Sequence, residues 1–232
     1  MLTLPILEVL PATPRARIVR LDLDGKPFDY VAGQAVLIGA HGGEARRAYS
    51  IASAPEDAKE RGAFELLVGL NDDGTPGQHL SLAAGALVDV DGPLGSFTFP
   101  VDPPERHFVF VAGGTGIAPL RAMLRHAIIA QLPAAHIGLL YSARTPDDFA
   151  FADEFQALAS SGAIEFSQTI TREASPDWSG ARGRIDRAAL AALVHDPKTL
   201  CFVCGPASMV DEMPKLLAEL GIARERVRIE EW

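Results

Sequence analysis

His107-Phe108-Val109-Phe110-Val111-Ala112-Gly113-Gly114-Thr115-Gly116-Ile117-Ala118-Pro119 runs from an apolar stretch into a cluster of small residues and on into a helix start. His107–Ala112 has the length and composition of a buried strand. The glycines after it let the backbone come close to a pyrophosphate, and the next helix offers its amides and the positive end of its dipole. Pro119 suits a first helical turn, where a missing N–H costs nothing. Leu120, Met123, Leu124, Ala127 and Ile128 then fall at i, i+3, i+4, i+7 and i+8, the spacing of an amphipathic helix. Strand, glycine turn and helix in this order are what a dinucleotide phosphate site requires. Two departures from G-x-G-x-x-G are visible. Pro119 stands at the third glycine position, and no acidic residue between Gly113 and Pro146 is present to meet an adenine ribose.

The same rhythm continues downstream. Ile137–Tyr141, Ile164–Ile170, Leu200–Cys204 and Arg226–Ile229 read as further strands. Between them lie a capping box at Thr145-Pro146-Asp147-Asp148 opening a helix through Ala159, a short helix at Arg187–Val194, and an amphipathic helix marked by Met209, Met213, Leu216, Leu217 and Leu220. Five strands alternating with helices predict βαβ units and a five-stranded parallel sheet. Upstream of the proline-bearing linker Val101-Asp102-Pro103-Pro104 the pattern differs. Ala16–Leu23, Ala35–Gly39, Ala48–Ala52, Phe64–Leu70 and Leu87–Val90 are short β-like runs separated by turn residues, with almost no helical pattern. They predict an antiparallel barrel or sandwich. The chain thus divides into 1–103 and 104–232, each within the usual size of a domain.

With 48% hydrophobic and 22% charged residues, the 232-residue chain is well cored and not disordered. Its net charge of −9 argues against a nucleic-acid partner, which needs a basic surface. The N-terminus, Met1-Leu2-Thr3-Leu4-Pro5, lacks a basic n-region, and no apolar run approaches the roughly 20 residues of a membrane span. A cytoplasmic protein without a membrane partner is expected. The two cysteines, Cys201 and Cys204, are spaced C-x-x-C but fall on one strand, where residues three apart face opposite sides. They cannot hold an iron–sulfur cluster, which needs about four such ligands. The six histidines show no H-E-x-x-H spacing, so no metal site is expected.

Arg47-Ala48-Tyr49-Ser50 supplies a cation, an aromatic ring and a hydroxyl within four residues of a strand. Arginine grips phosphate with a fork of donors, a tyrosine can stack on a ring, and a serine can hydrogen-bond a ring nitrogen. Taken alone, the stretch reads as an ordinary strand with an exposed arginine.

Five marks in order settle that choice: Gly33-Gln34, the R-x-Y-S motif at 47–50, Gly92-Pro93-Leu94-Gly95-Ser96-Phe97, Gly113–Pro119, and Cys204-Gly205-Pro206. With them the whole chain resembles the ferredoxin–NADP⁺ reductase superfamily, in a standalone form without an iron–sulfur domain. The resemblance implies an N-terminal FAD-binding antiparallel β-barrel and a C-terminal NAD(P)-binding α/β domain. It implies that Arg47 binds the FAD pyrophosphate, that Tyr49 packs along the flavin with Ala48 beside it, and that Ser50 sits near the flavin N5. Gly74-Thr75-Pro76-Gly77-Gln78-His79-Leu80 matches the second FAD phosphate segment, with Gly74, Gly77 and Gln78 as its cofactor contacts, although Gly77 replaces the usual serine or threonine. Gly113, Gly114, Thr115 and Gly116 would cradle the nicotinamide dinucleotide, with Thr115 between the two rings. Cys204 would flank the nicotinamide next to Gly205 and Pro206. Ser50, Thr115, Cys204 and Glu230 would line the hydride path, and Trp232 would cover the flavin or its adenine. Arg144, Arg172 and Arg184 match arginines that hold a 2′-phosphate, which slightly favours NADPH over NADH.

The implied reaction is hydride transfer from NAD(P)H to flavin, then electron delivery to a separate acceptor such as a ferredoxin or an oxygenase component. Two alternatives stand beside it: a flavin reductase that releases reduced free flavin, and a non-catalytic flavin-binding adaptor subunit.

Overall fold

The computed structural model describes residues 1–130, 135–172 and 178–231. The chain divides into two compact units, Met1–Phe99 with Arg121–Ile129, and Pro100–Leu120 with Ala130–Trp232.

The first unit is built on β1 (Leu2–Thr13), β2 (Ala16–Asp22), β3 (Ala35–Ala40), β4 (Arg47–Ser50), β5 (Ala63–Gly69) and β6 (Leu87–Leu94), with a short helix α1 (Pro55–Arg61) before β5. The strands form one antiparallel sheet in the order β4-β3-β6-β1-β2-β5. An antiparallel bridge between Ile51 and Leu66 joins the two ends of that order. Closing the sheet in this way makes the expected barrel and removes its open edges. Alternate residues such as Leu4, Ile6, Val36, Ile38, Leu66 and Val90 fill its interior.

Two elements of this unit are missing from the sequence reading. Strand β1 contains Pro5 and Pro11, which read as strand breakers. The chain tolerates them because β1 changes partners along its length, pairing Leu2–Pro5 with β6 and Ile6–Thr13 with β2, with register shifts after Ile6 and Pro11. Helix α1 is only 7 residues long, too short for a periodic pattern, and ends on Gly62 at φ 67°. The residues Arg121–Ile129 belong to this unit for a visible reason. Arg121 donates to Glu65 Oε2 at 2.7 Å, Arg125 pairs with Asp57, and His126 Nδ1 lies 2.8 Å from Glu56.

The second unit carries β7 (His107–Gly113), α2 (Ile117–Ile129, the first turn only), β8 (His136–Ala143), α3 (Ala152–Ser160), β9 (Glu165–Ile170), β10 (Ala181–Arg182), α4 (Arg187–Ala191), β11 (Leu200–Gly205), α5 (Ala207–Glu219) and β12 (Val227–Glu231). All pairs are parallel, in the order β10-β9-β8-β7-β11-β12. The five predicted strands are present, and the two-residue β10 adds a sixth at the edge. The capping box forms as read, Thr145 Oγ1 donating to Asp148 Oδ2 at 2.8 Å, but it starts a single 3₁₀ turn at Pro146–Asp148. Phe149 and Phe151 then turn the chain before α3 begins, so the expected continuous helix is split. Among the described residues no helix is long and apolar enough to cross a membrane.

Candidate functional site

Strand β4 pairs with β3, Ala35 opposite Ser50 and Ile38 opposite Arg47. Pleating puts Arg47 and Tyr49 on one face and Ala48 and Ser50 on the other. Tyr49 is half-buried against the barrel core. Its hydroxyl lies 2.8 Å from His79 Nε2, and the two rings stack with centroids 5.9 Å apart. Burial pushes the Tyr49 phenol above its ordinary range, so it stays protonated.

Arg47 is exposed, and its Nη1 donates to the Pro76 carbonyl at 3.4 Å. Among the described residues no carboxylate pairs with it. By contrast, the neighbouring Arg46 is tied to Asp91. The segment opposite is a self-braced loop: Thr75 Oγ1 donates to Asp73 at 2.7 Å, and the Gly77 amide donates to Thr75 Oγ1 at 3.3 Å. Arg47, Gly74, Gly77, Gln78 and His79 line an open cleft of about 950 Å³. Gly77 sits at φ +100°, a conformation that L side chains rarely adopt. His79 is buried, and its Nδ1 has no hydrogen-bond partner among the described residues. Burial, reinforced by Arg47, holds its pKa below the ordinary histidine value. An arginine fork without a carboxylate, a glycine turn and an orphaned ring nitrogen fit an anionic group such as the pyrophosphate of FAD.

In the second unit, the strand order sends the chain from β7 toward β8 and β9 on one side and brings it back to β11 and β12 on the other. Connections therefore leave β7 and β11 in opposite directions, the switch point at which open α/β sheets bind ligands beyond their carboxyl ends. Gly113 ends β7 and Gly205 ends β11, with Ala112 opposite Cys204. Gly114–Gly116 form a 3₁₀ turn leading directly into α2. A Cβ at Gly116 would drive into the Cys204 carbonyl oxygen, so only glycine lets the loop lie this close to β11. The loop is pinned from below: the fully buried Tyr141 donates from its hydroxyl to the Gly114 carbonyl at 3.0 Å and accepts from the Ala150 amide at 3.2 Å. Thr115 is half-buried, and Pro206 caps α5. These small residues at a switch point fit the phosphates of a dinucleotide.

Cys204 is 1% exposed, and its thiol is pushed up by burial and by Glu230, its neighbour across β12. Cys201 joins the core on the opposite face with Val203, and both thiols are free, as the strand period requires. Arg144, Arg172 and Arg184 are exposed at the ends of β8, β9 and β10, and the Arg172 amide donates to the Arg144 carbonyl at 2.9 Å. The adjacent strand ends thus place the three arginines along one edge. Trp232 lies outside the described residues.

By resemblance His79 falls within the second FAD phosphate segment, but sequence reasoning gave its side chain no contact of its own and only excluded it from a metal site. Its pairing with Tyr49 spans 30 residues and depends on the barrel closing. The one local signal was its place directly after Gly77-Gln78.

Two family models match the chain: the oxidoreductase FAD-binding domain over residues 7–99 and the oxidoreductase NAD-binding domain over residues 110–215. Ferredoxin--NADP reductase B of Sorangium cellulosum (strain So ce56) is 37% identical, over 98% of this chain and 96% of that protein. Among solved structures, the Amycolatopsis cytochrome P450 reductase GcoB is 29% identical with a TM-score of 0.84, over 99% of this chain and 68% of that one. A ferredoxin NADP⁺ reductase from Neisseria gonorrhoeae, solved with bound FAD and NADP, shares the fold with a TM-score of 0.81 at 24% identity, over 99% and 98% of the two chains.

Proposed function

We propose that this chain, which belongs to the ferredoxin–NADP reductase family, moves a hydride from NAD(P)H to FAD and passes the electrons to a separate ferredoxin or oxygenase component. It is an oxidoreductase with an FAD-binding and an NAD-binding domain. The observation that carries the proposal is that the first unit has an arginine without a carboxylate partner among the described residues beside the Gly77 cleft, and the second unit has a glycine crevice at the switch point of its parallel sheet.

In this reading residues 1–103 serve FAD and 104–232 serve the nucleotide, in the cytoplasm. Arg47 grips the pyrophosphate, with Gly74, Gly77 and Gln78 supplying backbone and amide contacts from the facing loop. Tyr49 and Ala48 pack along the flavin, and Ser50 offers a hydrogen bond near N5. Gly113–Gly116 cradle the nucleotide phosphates, Gly205 and Pro206 bound the crevice, and Thr115 and Cys204 orient the nicotinamide. Glu230 adds a negative charge beside Cys204. Arg144, Arg172 and Arg184, aligned on one sheet edge, favour a 2′-phosphate and so NADPH over NADH. No side chain need exchange a proton for the hydride step, since the bound cofactors carry that chemistry.

One observation favours a second reading, release of reduced free flavin: Gly77 has no side chain to add to the phosphate contacts. The visible spectrum of the purified protein, followed by anaerobic titration with NADPH and NADH in parallel, separates the possibilities. A yellow protein bleached by either nucleotide supports the proposal. A colourless protein that reduces added flavin supports the second reading. Bound flavin that no nucleotide bleaches would leave only a non-catalytic adaptor.

A further inference from the structure

We propose that His79 is a further cofactor-binding residue, whose Nδ1–H donates to the FAD pyrophosphate beside Arg47 while its Nε2 is held by Tyr49. This rests on the reading that the Gly77 cleft holds that pyrophosphate.

Three nitrogens converge on the space that a side chain at residue 77 would take. The position of a Cβ there is 3.4 Å from His79 Nδ1, 3.5 Å from Arg47 Nη2 and 3.6 Å from Asn71 Nδ2. Glycine leaves this space open, and its positive φ discourages any side chain from filling it. A guanidinium, a ring nitrogen and an amide nitrogen meeting at one open point are a setting for an anion.

The proposed state of the ring takes the Tyr49 hydroxyl as the donor at its other end. Among the described residues the Tyr49 hydroxyl has one hydrogen bond, to His79 Nε2 at 2.8 Å. A phenol that donates there makes Nε2 the acceptor and puts the proton of a neutral imidazole on Nδ1. Neutrality is favoured by burial and by the nearby Arg47 charge. Nδ1 is then a buried donor without a partner, which is costly unless a ligand meets it.

The test measures FAD dissociation constants of the full chain by flavin fluorescence for the wild type, Arg47→Ala, His79→Asn and His79→Gln. Asparagine puts an amide nitrogen where Nδ1 stands; glutamine puts one near Nε2. H79Q is expected to weaken FAD about tenfold or more, the effect of losing a bond to a charged group, while H79N stays within about threefold of wild type. Equal losses in H79N and H79Q, with R47A weakening FAD, would overturn the role of His79 and leave the cleft reading standing. An R47A protein that binds FAD like the wild type would instead remove the pyrophosphate from this cleft. Nitrogen-15 imidazole spectra of the wild type give a second readout that needs no variant. The ring proton should sit on Nδ1 and its resonance should move when FAD is added; a proton on Nε2 overturns the proposal.

Discussion

Arg121 Nη1 donates to Glu65 Oε2 at 2.7 Å, and the two side chains are only 6% and 3% exposed. Glu65 also accepts from Arg20 Nε at 2.6 Å, and Arg121 donates to the Ala52 carbonyl at 2.8 Å, two residues beyond β4. A buried charge cluster of this kind holds geometry more than it adds net stability, but removing one partner strands the others. Replacing Glu65 by Gln should therefore cost about 3 kcal/mol or more, read from denaturant unfolding. A loss below about 1 kcal/mol, the worth of an exposed pair, would show that the cluster is solvated in solution.

Asp89 on β6 accepts from Thr3 Oγ1, His41 Nδ1 and the Gly42 amide, and these bonds lower its pKa from 3.8 to about 2. A carboxylate whose folded pKa is depressed adds stability that is present above pH 3.8 and lost as pH falls toward 2. Unfolding midpoints measured from pH 5 downward should drop across that window in the wild type. Asp89→Asn should be less stable at pH 5 and show a flatter decline; parallel curves would contradict the assignment.

Gly116 leaves no room for a methyl group against the Cys204 carbonyl. Gly116→Ala should push the loop away from β11 and raise the Michaelis constant for either nicotinamide nucleotide about tenfold, the cost of misplacing a positioning element. Flavin content should remain unchanged. Loss of flavin together with nucleotide affinity would mean general misfolding.

In the proposed reading Arg144 meets the 2′-phosphate that only NADPH carries. Arg144→Ala should raise the Michaelis constant for NADPH about tenfold, the scale of one charge-assisted contact, and leave that for NADH nearly unchanged. Equal effects on both would reassign this arginine to a contact the nucleotides share.

The thiols should be inert in the folded protein. Burial pushes Cys201 up to about 12 and Cys204 higher still, so neither is a thiolate near neutral pH. A thiol-specific disulfide reagent at pH 8 should titrate no cysteine before denaturant is added and both afterwards. Rapid reaction of one thiol in the native state would show that β11 opens.

Much of the architecture can be read along the chain because it rests on neighbours within a few residues. The continuous apolar run of β7, the glycines that follow it and the apolar stripe of α2 are each local features of the sequence, and the order of strands and helices then limits the second unit to a parallel sheet. The short β-runs before Val101 likewise point to an antiparallel unit. Strand β1 was hidden by Pro5 and Pro11, whose tolerance depends on a change of partner that no local pattern records. Helix α2 reads as one amphipathic element, yet Glu65 and Asp57, far away in sequence, decide which unit holds its Arg121–Ile129 part. The residues alone also supply the arginine fork at 47 and the glycine at 77. That Tyr49 holds His79, and that His79, Arg47 and Asn71 surround one open point, was decided only by tertiary structure. Periodicity fixes the direction of a side chain from its own backbone, whereas the groups it meets depend on how separate strands register when the barrel closes.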